Sequence, residues 1–204
     1  MTAIVQDQVD EKRRRILLIA TSAAGGVVAA GAVGPLIASW FPSARALAAG
    51  APVQADISKI EPGQQVTIEW RGKPVWLLRR TPEMVQVLEK NANAGFLTDP
   101  QSKDSKQPEY CKNTERSIKK DMFVCLAVCT HLGCTPNLKK EIGAASDMGA
   151  DWPGGYLCPC HGSRFDLAGR VMNGSPAPIN LEIPPNRYEG DAIVVVGEDQ
   201  SKGG

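Results

Sequence analysis

Cys129-Thr130-His131-Leu132-Gly133-Cys134 and Cys158-Pro159-Cys160-His161-Gly162-Ser163, or CTHLGC and CPCHGS, hold both histidines of this 204-residue chain and four of its six cysteines. Thiol and imidazole are ligands for zinc and for iron–sulfur centres. One tetrahedral zinc needs four ligands, and six are offered. A c-type haem needs C-x-x-C-H, but Leu157 interrupts that spacing before the C-x-C-H of 158–161. A catalytic thiol with one base leaves the duplication unexplained. Two half-sites account for it: Cys129 with His131, and Cys158 with His161. Cys134 and Cys160 are left over, and those two can pair.

Two cysteines and two histidines fit a [2Fe–2S] cluster in which imidazoles replace two thiolates on one iron. On the paired pattern C-x-H-x-G-C and C-x-C-H-G-S, with 23 residues between the loops, the chain resembles the Rieske iron–sulfur proteins. The resemblance implies Cys129 and Cys158 on the inner iron, His131 and His161 on the outer iron, and a disulfide between Cys134 and Cys160. It also implies a mainly β fold: an antiparallel all-β domain with a small cluster-binding part at about 129–178. A bare structural zinc module is the competing reading. Disulfides persist in oxidising compartments, so the site is expected outside the cytoplasm.

The N-terminus supplies a route there. Ile16 to Phe41 is 26 residues without a charge, about 39 Å of helix against a hydrocarbon core of about 30 Å. Gly34-Pro35 is a potential kink, and Trp40 sits where an interfacial anchor would. Arg13, Arg14 and Arg15 precede the span, which orients residues 1–15 towards the cytoplasm. RRRIL resembles a twin-arginine export signal. The small residues of ARALAAG, 44–50, offer the alternative of a cleaved signal peptide. An uncleaved anchor over 16–41 is the expectation: single-pass in a bacterial inner membrane, with the C-terminal domain in the periplasm.

Residues 42–55, PSARALAAGAPVQA, read as a hinge linker. Fourteen residues span about 21 Å as helix and up to about 46 Å extended. The domain over 56–204 is of ordinary size. QQVTIEW, PVWLLRR, MFVCLAV, GGYLC and AIVVVG read as strands between Gly/Pro turns. TPEMVQVLEKN reads as a helix with Thr81 at its N-cap and Pro82 in its first turn. A net charge of +1 points away from nucleic acid. Cys125, in an apolar run, reads as core, and Cys111 falls in a polar loop. A bond between them is open.

Three further stretches resemble the Rieske subunits of quinol-oxidising cytochrome bc complexes. GSPAP, 174–178, with Pro176 at its centre, is similar to the loop that covers the cluster from a third side, and NLEIPP follows it. Leu132 is similar to the apolar residue of the docking tip, where a core leucine is the plain alternative. The branch implies cytochrome b, cytochrome c1 and quinol as partners, a dimeric complex, and His161 as the quinol contact. It implies that Ser163 donates to a cluster sulfur. Phe165 stands where relatives often carry a tyrosine donating to a ligand thiolate, so a lower potential is expected. The Rieske subunit of an exported arsenite oxidase-type molybdoenzyme is the alternative.

Overall fold

The structure is a computed structural model that describes residues 10–44, 46 and 50–200. They fall into two units, divided after Leu47. Part of the expected hinge, residues 45 and 47–49, lies outside the described residues, as do residues 1–9 of the expected cytoplasmic segment.

The first unit is helix α1, Glu11–Ala38. The Asp10 carboxylate caps it, accepting the Lys12 and Arg13 N–H groups at 3.0 and 3.3 Å, so the helix starts more than a turn before Ile16 and includes the three arginines. Pro35 sits inside its last turn, and the helix ends three residues later. Trp40 and Phe41 follow it, both exposed. None of its residues is buried against protein, and an 18-residue window reaches a mean hydropathy of 2.1. A helix of 28 residues is about 42 Å long. It is long and apolar enough to cross a bilayer.

The second unit is built from three antiparallel sheets of three strands each. The first runs β1 (Val53–Asp56), β9 (Ile193–Val196), β8 (Asn186–Glu189). The second is β2 (Gln65–Trp70), β3 (Lys73–Arg79), β4 (Met122–Leu126). The third is β5 (Asn137–Lys139), β6 (Gly155–Leu157), β7 (Arg164–Asp166). All five expected strands are present, with their ends moved by a residue or two. Helix α2, Pro82–Asn93, is capped as expected, with the Thr81 hydroxyl accepting the Met84 N–H. One boundary moves: β1 pairs with β9 from Val53 onward, so residues 53–55 belong to the sheet and the linker is shorter than 42–55.

The middle sheet explains the unbroken apolar runs of β3 and β4. Side chains alternate across a strand. Val75, Leu77, Met122, Val124 and Leu126 pack into one core with Val194 and Val196 of the first sheet. Trp76, Leu78, Phe123 and Cys125 pack into the other, with Leu88 of α2 and with Tyr156 and Phe165 of the third sheet. A sheet covered on both faces has no polar side to show in its sequence. Trp76 stacks on Tyr156 with ring centroids 4.6 Å apart, which anchors the third sheet to the middle one.

Candidate metal centre

The third sheet positions both loops. CTHLGC connects β4 to β5, and CPCHGS connects β6 to β7. Since Asn137 pairs with Leu157 and Leu157 with Arg164, the exit of the first loop lies beside both ends of the second. The loops share one backbone plan. In the first, the Cys129 N–H donates to the Cys134 carbonyl at 2.7 Å and the Gly133 N–H to the Cys129 carbonyl at 3.0 Å. In the second, Cys158 donates to Ser163 at 2.8 Å and Gly162 to Cys158 at 3.0 Å. Gly133 and Gly162 take φ of +86° and +75°, left-handed values that favour glycine. The near-repeat in sequence is therefore a repeat in structure.

Cys134 and Cys160 are joined, with an S–S distance of 2.01 Å, as expected. The Cys158 sulfur lies within 4.8 Å of both disulfide sulfurs, but those two are bonded to each other. Cys129 and Cys158 therefore remain as the two buried thiols of the site. Burial pushes the Cys129 thiol above its ordinary range, an effect that metal charge offsets, since a metal ligand must be a thiolate. His131 and His161 lie edge to face with ring centroids 4.8 Å apart. His131 is half-buried and His161 exposed. The Nδ1 of His131 is buried without a hydrogen-bond partner among the described residues. His131 thus carries an orphaned imidazole nitrogen against a second imidazole, on the loops that also carry two buried thiols. This donor chemistry suits a metal cluster, because buried polar atoms are otherwise nearly always bonded, although neither histidine joins the close sulfur group of Cys134, Cys158 and Cys160. The donor set fits [2Fe–2S] chemistry with mixed ligands.

Hydrogen bonds tie the 174–178 loop and its exit to the ligand loops and to Arg164 at the start of β7. The Thr130 hydroxyl donates to the Ile179 carbonyl at 2.6 Å. The Ser163 hydroxyl, fully buried, accepts the Ala177 N–H at 3.1 Å, leaving its own proton to donate. The Ser175 hydroxyl accepts the Arg164 N–H at 3.0 Å. Pro176 stands exposed between these ties. Leu132 is 70% exposed, which rules out the core position. Phe165 is fully buried, in one apolar cluster with Cys129 and Cys158.

Two features escaped sequence reasoning. Cys111, within its polar stretch, is fully buried in a short turn of 3-10 helix, Glu109–Cys111. Cys111 and Cys125 are both free thiols, and burial pushes them up to about 11 and about 12. The second is a set of buried arginines converging on the turn after β7. Arg80 donates to the Leu167 carbonyl, Arg116 to those of Ala168, Gly169 and Leu181, and Arg170 to the Asp166 carboxylate and the Leu88 carbonyl. Burial lowers Arg80 and Arg116 to about 10, so both remain cations at neutral pH. The arginines at positions 80, 116 and 170 share no spacing that announces them.

Residues 102–185 match the Rieske [2Fe-2S] domain, and residues 5–43 match the domain described as "Ubiquitinol-cytochrome C reductase Fe-S subunit TAT signal". The ubiquinol-cytochrome c reductase iron-sulfur subunit of Allochromatium vinosum is 54% identical over 166 residues, covering 81% of this chain and 79% of that one. The protein of the same description from Bradyrhizobium diazoefficiens is 37% identical over 168 residues, covering 82% and 84%. A chain of a solved structure titled "Hyperthermophilic respiratory Complex III" is 28% identical, covering 86% of this chain and 97% of its own, with a TM-score of 0.46.

Proposed function

The chain belongs to the Rieske iron–sulfur subunits of ubiquinol–cytochrome c reductase, and on that premise we propose how its residues serve the oxidoreductase. The carrying observation is the paired-loop geometry: two buried thiols, two adjacent imidazoles and a disulfide joining the loops. Cys129, His131, Cys158 and His161 hold the cluster. When bound, a [2Fe–2S] cluster of this kind takes up and gives back one electron. Of the two imidazoles, His161 is exposed, so it is the one that meets quinol and takes a hydrogen bond from it. Leu132, at the tip of the same surface, excludes water around that contact and seats the loops on cytochrome b.

The rest of the chain delivers this surface. Helix α1 anchors the protein in a bacterial inner membrane. Arg13, Arg14 and Arg15 hold its N-terminus on the cytoplasmic side, and the Rieske domain lies in the periplasm. The segment before β1 works as a hinge that lets the domain receive an electron from quinol at cytochrome b and pass it to cytochrome c1, in a dimeric complex. The arsenite oxidase-type reading draws no support from the matched export signal or from either bacterial relative, all of which carry the quinol enzyme's description.

Purification from membranes tests the assignment of partners. An affinity-tagged full chain is expected to bring b-type and c-type haem with it in constant ratio, and to support antimycin-sensitive reduction of cytochrome c by ubiquinol. A tagged chain that binds its cluster but recovers no haem protein would contradict the reading.

A further inference from the structure

The three sulfurs of Cys134, Cys158 and Cys160 lie within 4.8 Å of one another. Two of them are bonded, and the third belongs to a free thiol. Cys129, the other free thiol of the site, falls outside that group of three. Cys158 is held in place by its backbone, whose N–H and carbonyl are both bonded within the loop. A thiol kept beside a disulfide is placed for thiol–disulfide exchange, which proceeds by attack of one sulfur on another.

We propose that Cys158, beyond holding the cluster, is an internal nucleophile toward the Cys134–Cys160 disulfide, and that loss of the cluster releases it to attack. The bond between Cys134 and Cys160 breaks. A bond forms from Cys158 to one of them, and the proton of the Cys158 thiol ends on the sulfur set free. One disulfide and one thiol stand on each side, so neither oxidant nor reductant is consumed. The product keeps Cys129, His131 and His161 but no longer offers Cys158. Cluster loss thereby locks the site against refilling until an external thiol reopens the bond. The inference rests on the reading of Cys158 as a ligand.

The experiment uses the full chain in detergent. Its cluster is removed anaerobically at mildly alkaline pH with an iron chelator and without thiol reductant. Released sulfide is removed at once by gel filtration, so that internal thiolates are the only nucleophiles left, and N-ethylmaleimide is added at intervals before peptide mapping by mass spectrometry. With the cluster in place, Cys129 and Cys158 are expected unlabelled and Cys134 linked to Cys160. After removal, Cys129 should label, Cys158 should appear in a disulfide with Cys160 or Cys134, and the released partner should label in its stead. Iron and sulfide should then restore the visible spectrum only after dithiothreitol. An intact Cys134–Cys160 bond with both Cys129 and Cys158 labelled overturns the proposal. So does a new bond to Cys129, or mixed bonds to Cys111 or Cys125, which mark general unfolding. Labelling of Cys158 while the cluster is present overturns the ligand reading instead.

Discussion

Phe165 shows how much one side chain of this site decides. It is fully buried in the cluster that also contains Cys129 and Cys158, and it brings no donor to them. A buried tyrosine hydroxyl needs a partner or costs about 1–3 kcal/mol. Phe165→Tyr is expected to find that partner in a ligand sulfur. Donation to a sulfur favours the reduced, more negative cluster. A differential bond of about 1.4 kcal/mol corresponds to about 59 mV for one electron, so the potential should rise by roughly tens of millivolts. Voltammetry of the variant checks this, and an unchanged or lowered potential refutes the tuning argument. At this scale the sequence was informative because ligand chemistry depends on residue type and short spacing. The pairing of Cys134 with Cys160 and the exposure of Leu132 followed the resemblance. The hydroxyl ties of Thr130 and Ser175 to a neighbouring loop did not, since a hydroxyl in a loop has no signature of its partner.

Among the elements, the turn after β7 joins the ligand loops to the rest of the domain. Asp166 and Arg170 are both fully buried, with a guanidinium nitrogen 2.7 Å from the carboxylate. The Asp166 carboxylate also accepts the Ala168 and Arg170 N–H groups at 2.9 Å. Asp166→Ala strands a buried cation and two N–H groups, a change expected to cost about 3–5 kcal/mol. Denaturant unfolding of the holoprotein should show it as a lower midpoint, with Asp166→Asn less affected because it keeps an acceptor. Equal stability of Asp166→Ala and the parent would remove the turn as a structural hub. Long strands with two buried faces were legible as apolar runs. The three-residue strands β5 and β7 were not, because a period of two is not defined over so few positions; β6, equally short, was visible only as the apolar run of GGYLC between turns. Strand β1 was hidden in a linker composition because its partner, β9, lies at the far end of the chain.

The linker is an element tested by restriction. Replacing residues 46–49 with proline limits them to extended conformations. Cluster content should be unchanged while ubiquinol–cytochrome c turnover in the assembled complex falls several-fold. Unaltered turnover at full cluster content would make the segment a passive spacer.

For the whole molecule, an apolar N-terminal helix within a matched export-signal region and a redox domain are each readable from the sequence, while their cooperation depends on partners. The central claim is that this chain, through two cysteines and two histidines, takes an electron from quinol and gives it to cytochrome c1. Rapid-freeze electron paramagnetic resonance of the purified complex, made with 15N-histidine and mixed with ubiquinol, tests it most directly. The account predicts a rhombic signal with a mean g below the free-electron value, coupled to two histidine nitrogens, rising no later than the reduction of cytochrome c1. Full reduction of cytochrome c1 at the normal rate with no such signal, or a signal without histidine coupling, would contradict it.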